Sequence, residues 1–424
     1  MAPKLSPDIG VRVRGSGMRR WTALAVGVCA VASGIGGRAA GAGPAPGIAT
    51  TGGTTIVLSP EDNRLNAYDA ADPSVKQTII EGVHVYSSPN GGVGVTDETL
   101  RRDINGQVCI DPENPRRFVA GEDTDQDPSA NPPVLPGWGY FELDGSKVGN
   151  LSVTQLGKLT PASYLGSPDN QGCGFLSSDE IVTTTIGDVF PHEPATGELV
   201  LFFGPFDRTD VPSCKLDTTL GTAGGLWVDP DARAIYVATN RPGADGLPGG
   251  VYRYTGDFPT AATPAGGCGR IDASGAPLVD AGRITKELFI AGAPFSMTPS
   301  TVIGSGRGTF YVSSVFTGTV AEYDGDGLFL RYVLVPPMPP PGGAFTATGV
   351  TPFGLATTPD GSLWVADLGI QPNANDGLGA VHEEGSVVRI EFGTLGLPRP
   401  FAVVDESLTF PDGLGVTTLP PPAR

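Results

Sequence analysis

The chain has little of what many enzymes depend on. Its 424 residues include only three histidines, His84, His192 and His382, and none has a metal-ligand spacing such as H-E-x-x-H. No G-x-S-x-G elbow occurs, no cysteine lies in a nucleophile setting beside a histidine, and no glycine-rich phosphate loop opens a helix. "GSGRG" at 304–308 sits in a strand-turn-strand pattern instead. Zinc catalysis, serine hydrolysis and nucleotide chemistry are therefore disfavoured. Bases are scarce as well: 27 Lys and Arg stand against 45 Asp and Glu, a net charge of −18. Residues 1–40 hold six of those bases and one of the acids, so the remainder is more acidic still. Such a surface repels nucleic acid and anionic lipid, and no nucleic-acid partner is expected. Beyond Gly43 no run is long and apolar enough to span a bilayer.

Glycine and proline are abundant, with 62 and 41 residues. They fall between short runs rich in Val, Thr, Tyr, Phe and Trp, a pattern of many short strands joined by turns. The N-terminus reads differently. Met18-Arg19-Arg20 is basic, residues 21–37 are apolar and small, and Ala40-Gly41-Ala42 resembles a cleavage site. Residues 1–42 therefore read as a secretory signal peptide, with Met18 as an alternative start and an uncleaved anchor as the competing reading. The expected location is secreted, extracytoplasmic. Cys29 falls in this leader behind Val28, a poor lipobox residue. Four cysteines remain, Cys109, Cys173, Cys214 and Cys268, an even number that suits disulfides in an exported chain.

One plan recurs along the chain: an apolar run, an Asp- or Pro-rich turn, a second apolar run and a polar stop. It is clearest in "TPFGLATTPDGSLWVADLGI" (351–370), and returns at 54–70, 106–123, 171–188, 224–240 and 300–315. The turn chemistry, Pro-Asp-Gly, Asp-Pro-Asp or Ser-Asp, marks each copy as a hairpin. A third strand carrying an aromatic follows most copies, as in "GGVYRYTGDF" (249–258), and often a fourth, as in "LFLRYVLV" (328–335). Six copies of four antiparallel strands, spaced by roughly 50–75 residues, predict an all-β fold: a six-bladed β-propeller over residues 54–419. "FPDGLGVTTL" (410–419) reads as an inner strand without a hairpin partner, and the copy at 54–70 lacks an inner strand. Pairing the two closes the ring and removes an open sheet edge. Residues 43–53 and 420–424 then read as a flexible linker and a tail.

Blade position suggests the cysteine pairing. Cys109 and Cys173 occupy first strands of consecutive blades, while Cys214 and Cys268 follow outer-strand segments of consecutive blades. The expected bridges are Cys109–Cys173 and Cys214–Cys268.

Starts of first strands and ends of second strands meet on one face of a propeller, around its central channel. The channel-face candidates are Asp367, Asn240, Asp188, Asp123 and Ser300. Asp123, Asp125 and Asp127 alternate like a calcium loop, but Pro128 and Val134 occupy its obligatory Gly and acid positions. Trp138 and Tyr140 are read as the start of a strand.

The segments at 352–367 ("PFGLATTPDGSLWVAD"), 224–238 and 410–416 resemble the NHL-repeat and gluconolactonase/regucalcin-like group of six-bladed propellers. The resemblance implies a divalent cation, Ca²⁺ or another, held by a Glu and by Asn or Asp residues at first-strand starts. Asp412 matches that P-D-G motif, Asn170 stands in "PDNQG" and Asn105 in "DINGQ"; Glu122 is the carboxylate expected to join them. The group's N-terminal Glu has no counterpart, and Phe353 replaces an amide in "TPFG". No catalytic residue is assigned. The leading expectation is a monomeric binding scaffold for a small-molecule, glycan or protein ligand, with a groove formed by residues 121–139, 189–196 and 370–384. The alternative is a divalent-metal-dependent lactonase or hydrolase.

Overall fold

The computed structural model describes residues 53–61, 64–81, 104–122, 137–161, 170–185, 197–208, 210–221, 223–291, 299–315, 317–334, 351–372, 378–380 and 383–421, with backbone alone at 170, 371–372 and 378–380. It is an all-β, six-bladed propeller of four-stranded antiparallel blades. From axis to rim, blade 1 consists of Gly415–Leu419, Thr54–Glu61, Arg64–Asp69 and Lys76–Glu81. Blade 2 is Ile104–Ile110, Arg117–Glu122, Gly137–Asp144 and Ser152–Leu159. Blade 3 is Asn170–Ser177, Glu180–Thr185, Gly197–Phe203 and Ser213–Leu220. Blade 4 follows with Ala223–Asp229, Ala234–Thr239, Gly250–Gly256 and Ile284–Ala291. Blade 5 is Thr301–Gly304, Phe310–Ser314, Thr319–Tyr323 and Phe329–Leu334, and blade 6 is Pro352–Thr357, Leu363–Asp367, Gly385–Ile390 and Ala402–Leu408.

The ring closes in blade 1. Thr54 pairs with Leu419 and Leu58 with Gly415, so strands from the two ends of the propeller share one antiparallel ladder. Closure gives the first hairpin its inner strand and so covers the edge that Thr54–Glu61 would otherwise leave open.

The core follows from strand periodicity. Successive side chains point to opposite faces of a strand, and each face of a blade meets a different neighbour. Along Arg117–Glu122, Phe118 and Ala120 pack toward blade 1, while Val119 packs toward blade 3. Six buried apolar clusters result, each built from two adjacent blades. Strands covered on both faces need continuous apolar runs, which explains "LVLFF" and "LWVA". The turns are polar and locally bonded: Asp360 Oδ1 accepts from the Ser362 N–H at 2.9 Å and from Thr358 Oγ1 at 2.6 Å. Trp138 and Tyr140 lie within the third strand of blade 2.

Disulfides join Cys109 to Cys173 and Cys214 to Cys268, with Cα separations of 5.8 and 6.2 Å. The first links innermost strands of neighbouring blades. The second arises differently from the expectation of equivalent positions. Cys214 lies on the outer strand of blade 3, but Cys268 lies in a long connection between the third and outer strands of blade 4. That connection crosses to blade 3 and adds two short strands, Arg270–Ile271 and Pro277–Leu278, to its outer edge. Among the described residues no helix is long and apolar enough to cross a membrane.

Candidate functional site

The starts of innermost strands and the ends of second strands share one face, as the pairing of Pro352 with Asp367 and of Asn170 with Thr185 illustrates. At the axis these strands are packed backbone to backbone. A Cβ on Gly413 would overlap the Gly106 carbonyl oxygen, and one on Gly224 would overlap that of Ser300. A Cβ on Gly172 would stand 2.7 Å from the Gly224 oxygen, and one on Gly354 would stand 2.8 Å from Gly413 Cα. Hydrogen bonds run between blades at the same level. The Gly225 N–H donates to Ser300 O at 2.9 Å, Thr184 Oγ1 to Gly224 O at 2.8 Å and Ser313 Oγ to Phe353 O at 2.7 Å. Glycine is required here because close backbone approach leaves no room for a side chain.

Gln107 ties three blades together at this level. Its strand is irregular between Asn105 and Cys109, and the side chain turns into the axis. There Oε1 accepts the N–H of Cys173 in blade 3 at 3.4 Å and that of Leu226 in blade 4 at 3.1 Å.

Glu122 is drawn away from the other candidate ligands by its own partners. Glu122 is buried, but its carboxylate turns away from the axis, over Gly139 toward the outer strand of its blade. There it accepts two hydrogen bonds from Gln155 Nε2, at 3.0 and 3.1 Å, with Lys158 Nζ 3.6 Å away. Asp412 stays at the axis, where Oδ2 accepts the Gly106 N–H at 2.8 Å. Asn105 is adjacent, its side chain packed against Gly121. Asn170 begins the innermost strand of blade 3. Among the described residues no three His, Cys, Asp or Glu side chains gather in a way that holds a metal. The residues present therefore do not fit the cation that the resemblance implies: the acid meant to complete the set faces the rim.

Asp367 is buried and bonded on both carboxylate oxygens. Its Oδ1 accepts from the Thr351 N–H at 2.6 Å, Thr351 Oγ1 at 2.8 Å and the Gly369 N–H at 3.3 Å, and its Oδ2 from Ser386 Oγ at 3.2 Å. Burial raises its pKa above the ordinary carboxylate value, and these bonds only partly offset that. Ser300 is buried, its Oγ accepting the Val315 N–H at 3.2 Å. Asn240 is half-buried at the end of its hairpin, with no hydrogen bond to Oδ1 among the described residues. Asp123 and Asp188, and most of the expected groove at 121–139, 189–196 and 370–384, lie outside the described residues.

Sequence reasoning missed two features. Gln107 carries no motif, and its role depends on a local strand irregularity. The second is a buried ionic cluster, Glu198, Lys215 and Asp272, whose only sequence signal was charged residues set within the apolar runs "GELVLFF" and "PSCKLD".

No family model matches the chain, and no curated protein does. Its neighbours among solved structures include a periplasmic gluconolactonase of Pseudomonas aeruginosa, 12% identical with a TM-score of 0.45, covering 86% of this chain and 99% of that one. A nidogen/laminin complex is 11% identical with a TM-score of 0.48, covering 86% and 98%. Regucalcin from Agrobacterium tumefaciens, a calcium-binding protein, is 14% identical with a TM-score of 0.37, covering 72% and 75%. At these identities the likeness is one of fold, a six-bladed propeller whose neighbours include gluconolactonases and regucalcin.

Proposed function

We propose that this chain is an exported propeller acting as a monomeric binding scaffold, which takes a small-molecule, glycan or protein ligand on the face where the innermost strands begin. The two disulfides suit an oxidising compartment. The observation that carries the non-catalytic reading is the placement of Gln107 and Glu122. Gln107 reaches across the axis to the Leu226 N–H of blade 4, and Glu122 directs its carboxylate to Gln155 at the rim. A hard cation needs several oxygen ligands converging on one point, and the Glu122 carboxylate is turned away from the axis where Asp412 stands.

The competing reading is a divalent-metal-dependent lactonase with Asp412 as a ligand. Thermal unfolding of the full chain, with and without calcium, separates the two, because a bound ion raises stability by mass action. The expected result is the same melting temperature in both conditions, with no lactone hydrolysis. A calcium-dependent rise that disappears in Asp412→Ala, accompanied by lactone turnover, would overturn the scaffold reading. If Asp412→Ala does not fold, Asn105→Ala serves in its place.

A further inference from the structure

Blade 3 buries three ionisable side chains far from any channel chemistry. Lys215 projects from its outer strand and Glu198 from the adjacent third strand. Asp272 sits in the turn between the two short strands that blade 4 lends to this edge. Lys215 Nζ stands 2.6 Å from Glu198 Oε1 and 2.7 Å from Asp272 Oδ2. Each of the three side chains is at most 2% exposed. Two carboxylates thus share one buried ammonium, which also donates to Ser274 Oγ at 3.2 Å, an arrangement whose desolvation penalty rivals its Coulombic gain. Covalent condensation of the amine with one carboxyl would remove a buried charge pair.

The carboxyl of Asp272 is also fixed in one orientation. Its Oδ1 accepts three hydrogen bonds, from the Ser274 N–H at 2.9 Å, Ser274 Oγ at 2.7 Å and the Ala276 N–H at 2.8 Å. The same donors stay on that oxygen as a nucleophile adds to the carbon, so the oxyanion of the adduct needs no reorganisation around it. The other oxygen faces Lys215. The backbone holds nucleophile and acyl group together: the Val279 N–H donates to Lys215 O at 3.0 Å, Lys215 pairs with Leu278, and the neighbouring Cys214 is bridged to Cys268. Such fixed proximity makes the encounter effectively unimolecular.

We propose that Lys215 and Asp272 condense spontaneously into an intramolecular isopeptide bond, with Glu198 as the proton carrier. Lys215 passes one proton to Glu198, and the freed amine adds to Asp272 Cγ. The Cγ–Oδ2 bond then breaks. Two of the three ammonium protons reach Oδ2 by way of Glu198, so that oxygen leaves as water. The third proton remains on the amide nitrogen, and Glu198 ends as the carboxylate it began as. Nothing is oxidised or reduced, and no co-reactant is consumed. The inference is independent of the reading of the channel.

Intact-mass measurement of the full chain, denatured and with both disulfides reduced, tests it directly. The expected wild-type mass is one water below that of the same reduced chain without the cross-link, and a digest should yield one branched peptide joining the Lys215 and Asp272 segments. Lys215→Ala should show its full sequence mass, and Glu198→Gln should accumulate the uncondensed form. Asp272→Asn guards against loss of folding in the harsher variants: it should lose ammonia instead of water and reach the same product mass as wild type. A reduced wild-type chain at full mass, with no branched peptide, overturns the proposal and leaves the three side chains as an ion-paired anchor.

Discussion

Gln107 and Leu226 belong to blades 2 and 4, yet the Gln107 Oε1 accepts the Leu226 N–H at 3.1 Å. Blades that are not neighbours come this close only at the axis, and the Cys173 N–H of the intervening blade shares the same oxygen. Replacing Gln107 by Ala removes that acceptor from both amides. Leaving buried donors unpaired costs about 1–3 kcal/mol, so Gln107→Ala should lower the urea midpoint with an unchanged slope. An unaltered midpoint would mean that water takes over the role of the amide.

Alanine at Gly413 or Gly224 places a Cβ into a carbonyl oxygen of the next blade. The blades must separate to relieve it, and overpacking of this kind costs about 1–3 kcal/mol or more. Gly393 is the control: its Cβ would meet nothing nearer than the Leu397 oxygen at 3.8 Å. Thermal unfolding should show a clear loss for Gly413→Ala and Gly224→Ala and a change within about 0.5 kcal/mol for Gly393→Ala.

Asp367 makes a pH-dependent prediction. Burial is the largest influence on its carboxyl and raises the folded-state pKa above the unfolded value. The folded state therefore binds the proton more tightly, and the cost of burying the charge is present above the folded pKa and relieved as pH falls through it. Asp367→Asn keeps an acceptor for the Thr351 and Gly369 donors without the charge. The stability of wild type relative to Asp367→Asn should rise between neutral pH and about pH 4, in the usual carboxylate range. Asp367→Ala, which strands those donors, should lose about 1–3 kcal/mol at every pH. Parallel pH profiles for wild type and Asp367→Asn would contradict the raised pKa.

The two disulfides should differ in worth. Each closes a loop of similar length, with sequence separations of 64 and 54, and loop closure alone assigns about 2–4 kcal/mol to either. A Lys215–Asp272 cross-link already closes the loop that Cys214–Cys268 closes. Removing Cys214 and Cys268 together should then cost less than removing Cys109 and Cys173 together, measured as the fall in melting temperature. Equal losses would argue that the second loop has no other covalent tie.

Much of the fold is legible in local chemistry. The Pro-Asp-Gly at 359–361 is a turn because Asp360 bonds its own backbone neighbours, and "LWVA" is a strand apolar on both faces because blades cover both. The unpartnered inner strand ending at Leu419 and the incomplete hairpin beginning at Thr54 declare each other, since each lacks what the other supplies. Glu122 was not legible in this way. Its place at a strand end says that it is near the channel face, but the direction of its carboxylate depends on Gln155, thirty-three positions away on a different strand.

The sequence by itself determined the blades, their number, their closure and the turns between their strands, because those rest on period-two patterning and on turn residues acting over a few positions. The tertiary structure alone decided what lies at the axis and at the rim. Gln107 reaches Leu226, the Cys268 connection crosses to blade 3, and Lys215 meets Asp272. Each of these contacts joins residues far apart in the chain, and only the ring geometry brings them within bonding distance.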